Sequence, residues 1–151
     1  MTGRRAAVQR WSASLAALLL LCSAVAAAAA SRLPFKLIVH PGVTGKSVTK
    51  ALLKEIFLRT TVKWGDETPI APVDLLSSSP ARQAFNQEVL ALSALDVQRY
   101  WVLQMSKGRV PPPAKKTEEE VIAFVASTPG AIGYLSDTTP TPHTVKALQV
   151  E

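Results

Sequence analysis

The segment best suited to bind an anion is a serine-rich turn, Ser77-Ser78-Ser79, followed by Pro80 and Arg82. Proline at a first helical position predicts that a helix starts here, with Ser79 as its N-cap. A helix N-terminus exposes unpaired backbone N–H groups, and serine and arginine side chains add donors for an oxyanion. The candidate ligand-binding residues are therefore Ser77, Ser78, Ser79 and Arg82. The alternative is that Ser79 only caps the helix and that Arg82 is a solvated helix residue.

A second loop, Pro41 to Ser47, contains Gly45-Lys46-Ser47 and superficially resembles a nucleotide-binding phosphate loop. The complete motif needs a glycine five positions before Gly45, and His40 stands there. Only Val73-Asp74 offers an apolar strand that ends in an acidic residue suited to magnesium. We therefore interpret this segment as an ordinary loop in which Ser47 caps a helix.

The remaining reactive residue types form no catalytic pattern. His40 and His143 are far apart and lack the spacing of metal ligands, and we find no nucleophile–base pair or carboxylate dyad. The sequence thus predicts a protein that is not an enzyme and uses no metal or cofactor. A basic loop is usually solvated, but it could also supply charge to an anion or contact a partner; here it contains Lys107, Arg109, Lys115 and Lys116.

Residues 1–30 have the pattern of a cleavable signal peptide. Three arginines precede an apolar stretch from Leu15 that ends in Ala28-Ala29-Ala30 before Ser31. The alternative is an uncleaved membrane anchor, because about 20 apolar residues can span a bilayer. A lipid anchor is disfavoured because bulky Leu21 precedes Cys22. We predict a signal peptide over 1–30, a single domain over 31–151, and a periplasmic location.

Cleavage would change the bulk properties of the chain. Of 17 basic residues, three lie in the leader, which leaves 14 against 11 acidic residues, a net charge of +3. This small net charge does not indicate nucleic-acid binding, but it mildly favours an anionic ligand. The single cysteine leaves with the leader, so the mature chain has no disulfide or thiolate metal site. Contact with a membrane is expected only through the leader before cleavage.

Hydrophobic patterning predicts alternating strands and helices in the mature chain. Phe35 to Val39 is typical of a buried parallel strand, and helices are predicted to follow caps at Ser47, Ser79 and Ser93. Thr117 and Glu120 form a capping box for a fourth helix ending near Thr128. Further strands are expected at 70–73, 132–135 and 145–150. We expect four side chains from these elements to be buried: Phe57, Phe85, Phe124 and Ile132.

These elements predict an α/β domain with a mixed or mainly parallel sheet flanked by helices. In such sheets, ligands bind at the carboxyl ends of strands beside helix N-termini. The loops after Val39, after Val73 and before Ile132 are the places where a site is expected. Of these, the loop after Val73 carries the serine-rich turn.

Several short motifs follow one another in a fixed order after residue 35. They are Phe35-Lys36-Leu37-Ile38-Val39, Ile56-Phe57 leading to Trp64, Pro69-Ile70, the serine-rich turn, and Gly130-Ala131-Ile132-Gly133-Tyr134. This order resembles one lobe of the phosphate-type substrate-binding proteins of ABC transporters, which have the type II periplasmic binding protein fold. The resemblance implies a single-lobe member of that fold.

The resemblance also suggests where a ligand would bind. The serine of the family's Gly-Ser-Gly-Thr ligand turn falls on Ser79, whereas the family's preceding arginine and serine fall on Leu75 and Leu76. Arg59 stands where the family motif Ile-Phe-x-Gly has its glycine. The family has two lobes that close on the ligand, and this chain is long enough for one.

Together these features predict a secreted protein that recognises a small oxyanion, with phosphate first, in ABC transport or sensing. The alternative is a protein-interaction module of the cell envelope that kept the lobe and lost its ligand. Leu75-Leu76 and Pro111-Pro112-Pro113 favour that alternative, while Ser78, Ser79 and Arg82 favour oxyanion binding.

Overall fold

Two sheets organise the domain, which is described by a computed structural model covering residues 32–151. Within this range the strands are β1 (Phe35–Val39), β2 (Ser47–Val48), β3 (Ala71–Pro72), β4 (Asp74–Leu75), β5 (Ala114–Lys115), β6 (Ala131–Ser136) and β7 (Lys146–Val150). The larger sheet has the order β2-β7-β1-β6-β3, and β4 pairs with β5. The predicted signal peptide, residues 1–30, lies outside the described residues. Within them, no helix combines the length and apolarity needed to span a bilayer.

The larger sheet is mixed, as predicted, but the direction expected for β1 is wrong. β1 is antiparallel to both neighbours, with Leu37 opposite Tyr134 on β6 and Leu148 on β7. Parallel pairing occurs between β2 and β7 and between β3 and β6. A central strand covered on both faces has the same continuous apolar sequence whichever way its neighbours run. Burial of β1 could therefore be predicted, but its orientation could not.

Four α-helices surround the strands in the described part of the chain. They are α1 (Lys50–Phe57), α2 (Pro80–Phe85), α3 (Ala94–Met105) and α4 (Glu118–Ser127). The predicted cap of α1 at Ser47 is wrong, because Ser47 and Val48 form β2 against Gln149 and Val150. Thr49 caps α1 instead, and its Oγ1 accepts a hydrogen bond from the Leu52 N–H at 3.2 Å.

The predicted starts of the other helices are confirmed. Pro80 is the first residue of α2 and Ser79 stands at its N-cap. Ser93 Oγ accepts from the Asp96 N–H at 3.1 Å at the start of α3. Thr117 Oγ1 accepts from the Glu120 N–H at 3.3 Å at the start of α4. The starts of α3 and α4 depend on hydrogen bonds to local side chains and that of α2 on Pro80, which explains why the sequence predicts them.

The second helix changes character after one and a half turns. α2 continues as a π-helical segment, Asn86–Leu90, which ends at Ala91 in the left-handed conformation with φ 52°. Leu92, directly after this turn, is only partly buried. The wider turn shifts the side chains that follow it relative to an ideal helix.

Three of the four predicted core residues, Phe57, Phe85 and Ile132, are fully or almost fully buried. The prediction that Phe124 is buried is wrong. Its side chain is only partly buried, and Lys115 Nζ lies 5.4 Å from its ring centroid. α4 instead directs Val121 and Val125 into the core.

The motif around Gly130 and Gly133 has a packing explanation. Gly130 has φ 74°, and a Cβ there would lie 2.1 Å from the Pro69 carbonyl oxygen. A Cβ on Gly133 would lie 2.8 Å from Val121 Cγ1. Trp64 Nε1 donates to the Gly130 carbonyl at 3.0 Å. Motifs that are far apart in the sequence are thus in direct contact in the fold.

Candidate functional site

The serine-rich turn connects β4 to α2 and separates into exposed and buried parts. Ser77 and Ser78 are exposed, and Ser79 is half-buried. Ser79 makes no side-chain hydrogen bond to the helix that it precedes. Arg82 is only 7% exposed, so the alternative that it is a solvated helix residue is wrong. Its burial follows from its place on the inner side of a short helix that packs against the sheet.

Arg82 belongs to a buried polar triad with Asp74 and Tyr134. Its Nη1 donates to Asp74 Oδ2 and lies 3.5 Å from the Tyr134 hydroxyl. The Tyr134 hydroxyl donates to Asp74 Oδ1, which also accepts from the Leu75 N–H at 2.9 Å. β4, α2 and β6 each contribute one member of the triad, so the tertiary fold assembles it.

Burial and charge act against each other within the triad. Burial raises the pKa of Asp74, while Arg82, the Tyr134 hydroxyl and the Leu75 N–H favour its ionised form. Burial is the largest influence on Arg82 and opposes its charge, but the attraction and hydrogen bonds of Asp74 and Tyr134 together raise the pKa of the guanidinium. Burial and the neighbouring carboxylate raise the pKa of Tyr134, so this phenol remains protonated. The triad is therefore held by an ion pair with a neutral tyrosine as donor.

A pocket of about 490 Å³ lies beside the triad. Ser77 and Arg82 both line it, whereas Ser78 and Ser79 do not. Its other lining residues come from the π-helical segment and the start of α3: Asn86, Ala94, Leu95, Val97 and Gln98. Two of the four predicted ligand-binding residues therefore meet in one concave surface.

Asn86 contributes an unsatisfied polar group to this region. Its side chain is 5% exposed, and Oδ1 is buried without a hydrogen-bond partner. Buried polar atoms are normally paired, because leaving one unpaired costs about 1–3 kcal/mol. Asn86 also begins the π-helical segment, and such segments often occur at functional sites.

The start of α3 forms one side of the pocket. The Asp96 and Val97 N–H groups are bound by the hydroxyl and the carbonyl of Ser93. Ala94 and Leu95, the first two residues of the helix, line the pocket. The first N–H groups of a helix have no partner within the helix and carry the positive end of its dipole.

The other candidate loop, Pro41 to Ser47, presents the opposite chemistry. Lys146 Nζ donates to the carbonyls of Val43 and Gly45, at 2.9 and 2.5 Å. The Gly42 N–H donates to His40 Nδ1 at 3.1 Å. A loop that turns carbonyl oxygens toward a cation does not form a cradle for phosphate. Interpretation of this segment as a structural loop is therefore favoured.

Metal binding has no support in the part of the chain that the structure describes. Residues 32–151 contain no group of three or more His, Cys, Asp or Glu side chains placed to hold an ion. His143 is exposed, and His40 accepts a hydrogen bond within its own loop.

Sequence reasoning missed the parts of the site that come from elsewhere in the chain. The sequence indicates Asp74 only as a candidate magnesium ligand, whereas in the structure this carboxylate, eight residues before Arg82, is the ion-pair partner of that arginine. The start of α3 was predicted from Ser93, but nothing local indicated that it faces Ser77. Asn86 gave no signal, because the π-helical turn that positions it has no sequence signature.

No protein-family model matches the chain, and no curated protein matches it by sequence. Solved structures do match its fold. A candidate phosphate ABC transporter substrate-binding protein with bound phosphate, from Clostridium perfringens, matches with TM-score 0.62 and 21% identity over 78% of this chain and 44% of its own. An ABC-type phosphate transport receptor from Vibrio cholerae matches with TM-score 0.60 and 18% identity, and PstS from Borrelia burgdorferi with 0.60 and 17%. Each of these two alignments covers 78% of this chain and 47% of the other.

The domain therefore shares its mixed α/β fold with phosphate-type periplasmic binding proteins. The chain spans less than half the length of these three neighbours. Identities of 17–21% relate the folds and leave the ligand to be argued from this chain's own residues.

Proposed function

We propose that this protein binds a small oxyanion, with phosphate first, in the pocket between the serine-rich turn and the start of α3. The observation that carries the proposal is the convergence of Ser77, Arg82 and the first residues of α3 on one pocket of about 490 Å³. The ligands named for the structural neighbours agree with this choice. A binding role in transport or sensing, without catalysis, is the corresponding function.

The donors of this pocket suit an oxyanion. A guanidinium carries five N–H donors, and the contacts with Asp74 and Tyr134 use only Nη1. The other donors of Arg82, the Ser77 hydroxyl and the N–H groups of Ala94 and Leu95 are available to oxygen atoms of a ligand. Asn86 would gain a partner if its buried amide group bonded a protonated oxyanion such as HPO₄²⁻.

The same geometry limits the affinity. Asp74 neutralises Arg82, so the pocket attracts an anion mainly through hydrogen bonds and the α3 dipole rather than through net charge. Ser77, which lines the pocket, is also exposed, so part of the anion stays hydrated. We expect a dissociation constant of about 10 μM to 1 mM, weak for a transport protein.

Isothermal titration with phosphate, sulfate and chloride on the purified protein tests the proposal. Ser77→Asp puts a carboxylate on the pocket and should abolish phosphate binding by repulsion. Ser78→Asp is the matched control, because it adds the same charge at the next exposed position, outside the pocket. Equal effects of the two substitutions, or no phosphate binding at millimolar concentration, would contradict the proposed site.

We also propose that the protein is exported and cleaved near Ala30, so that residues 31–151 act in the periplasm. The pattern of residues 1–30 supports this proposal. Intact-mass analysis of the periplasmic fraction should show the loss of about thirty residues. A full-length species retained in the inner membrane would contradict it.

An interaction module of the cell envelope is the second candidate, favoured by the exposed apolar side chains of α3. Leu95, Val102, Leu103 and Met105 are each more than half exposed. Leu75, in contrast, is buried and offers no docking surface. This candidate predicts that Leu103→Glu disrupts association with an envelope protein while Ser77→Asp has no effect on it.

A further inference from the structure

Two arginines from distant parts of the chain line a second pocket, at the ends of α1 and α3. The pocket has a volume of about 440 Å³ and contains Arg59 and Arg109. The rest of its lining is Thr60, Val62, Gly108 and Val110. It shares no lining residue with the pocket around Ser77 and Arg82.

Neither arginine of this pocket is neutralised. Arg59 Nη1 donates to the Ile70 carbonyl at 3.4 Å, and Arg109 Nη1 donates to Gln104 Oε1 at 3.3 Å. Both acceptors are uncharged, and within residues 32–151 neither guanidinium forms an ion pair. Arg82 and Arg99, in contrast, are paired with Asp74 and Asp96. Two like charges without a counter-charge make this pocket a place where an anion is favoured.

The backbone of Arg59 adds an independent observation. Its φ is 60°, in the left-handed region that glycine adopts without strain and that other residues seldom occupy. The chain must turn there, directly after the end of α1 at Phe57 and its C-cap Leu58. The dipole of a helix C-terminus explains why a cation is tolerated at this place, but glycine would make the same turn at lower cost. What arginine provides and glycine lacks is a guanidinium on the pocket wall.

Two apolar side chains also line the pocket. Val62 is 48% exposed and Val110 is 72% exposed, and both line the pocket. A ligand held by the two guanidinium groups could therefore also place an apolar portion against these side chains. A phosphate group fits the charged part, because guanidinium groups donate paired hydrogen bonds to its oxygens.

We propose that the Arg59–Arg109 pocket is a second anion site that binds a phosphate group. Arg59 and Arg109 donate to the phosphate oxygens, and Val62 and Val110 contact the group that is esterified to it. The phosphate belongs either to a free ion or ester or to a lipid headgroup, since both present the same oxygens. This site is independent of the function proposed above.

Titration calorimetry on the full chain carrying Ser77→Asp, which blocks the other pocket, tests this site. The probes are inorganic phosphate and dihexanoyl phosphatidic acid below its micelle concentration. We expect at least one probe to bind, and Arg59→Gly and Arg109→Gln each to weaken its binding about tenfold or more. A tenfold loss corresponds to about 1.4 kcal/mol. Tighter binding of the ester would assign the site to lipid headgroups, and equal binding would assign it to the free ion.

Lys63→Gln is the matched control, because it removes one positive charge four residues away, outside the pocket. It should leave the affinity unchanged. Without ligand, Arg59→Gly should unfold at the same temperature as the parent or higher, because glycine relieves the backbone strain. Arg59→Asn, which also tolerates the left-handed conformation, provides a second folded variant. Absence of binding by both probes, or full retention of affinity in Arg59→Gly and Arg59→Asn, would overturn the proposal.

Discussion

The ring of Phe85 stacks on the ring of Tyr134, with centroids 4.3 Å apart and planes 5° from parallel. Phe35 and Phe57 meet the same two rings at larger angles. The hydroxyl of Tyr134 meanwhile donates to Asp74. One side chain thus belongs to the aromatic core through its ring and to the polar triad through its oxygen, so packing of the core sets the position of the carboxylate that holds Arg82.

Phe85→Ala should therefore destabilise the domain by about 3–5 kcal/mol, because it leaves a cavity beneath Tyr134 at a fully buried site. Equilibrium denaturation in urea measures the change. Phe124→Ala is the control, because it also removes a phenyl ring. That ring is partly exposed, so the loss of stability should be clearly smaller. Equal losses in the two variants would show that Phe85 is not at the centre of the core.

Asp74→Ala should cost about 3–5 kcal/mol, because it leaves Arg82 charged and buried without a partner. Replacing both residues, as in Asp74→Leu with Arg82→Met, should recover much of this loss. Glu88→Ala breaks the exposed pair with Lys50 and should cost no more than about 1 kcal/mol. Chemical denaturation of the four proteins, including the parent, gives the comparison. A cost for Asp74→Ala as small as that for Glu88→Ala would contradict the buried ion pair.

Gly133→Ala should destabilise the domain by about 1–3 kcal/mol, because the added methyl would meet Val121 and Val73 at less than 3.0 Å. Gly65→Ala is the matched control, since no atom lies within 4 Å of its added Cβ. In a Val121→Ala background, Gly133→Ala should cost less than it does in the parent, because the shorter side chain leaves room for the methyl. Thermal unfolding of these variants tests the close packing of α4 on β6, and a neutral Gly133→Ala would refute it.

Glu118 should make the domain sensitive to acid. Burial opposes its ionisation, but hydrogen bonds from Ser136 and Thr139 outweigh burial and hold its pKa below the ordinary value of 4.5. A depressed pKa contributes stability above pH 4.5, and this contribution is lost as the pH falls through the folded-state pKa. The parent should therefore exceed Glu118→Gln in stability at pH 6–7, with the difference shrinking as the pH falls below 4.5.

Denaturation of both proteins between pH 3 and pH 7 follows this difference. Glu119→Gln removes the neighbouring exposed carboxylate of the same helix turn and controls for the loss of charge at the start of α4. A constant difference between the parent and Glu118→Gln across this pH range would argue against the network with Ser136 and Thr139.

Local signals account for much of the fold that could be predicted. The caps Ser93 and Thr117 act within one helical turn, so their side chains are sufficient to place the starts of α3 and α4. Pro80 at the first helical position places the start of α2. The apolar sequence of β1 likewise predicts a buried central strand. The order of the short motifs predicted the fold that the structural neighbours share. In the structure these segments contact one another, as Trp64 and Gly130 do.

Long-range contacts decided the rest. The same apolar strand suits either direction, so only pairing with β6 and β7 made β1 antiparallel. Ser47 is a good helix cap in isolation, but it pairs with the free edge of β7 and so becomes part of β2. The sequence of α2 alone is compatible with either a solvated or a buried Arg82. Asp74, eight residues away on a separate strand, stabilises the charge of Arg82 inside the domain. Each pocket likewise joins distant residues, such as Ser77 with Gln98 and Arg59 with Arg109, and only the packed chain brings such side chains together.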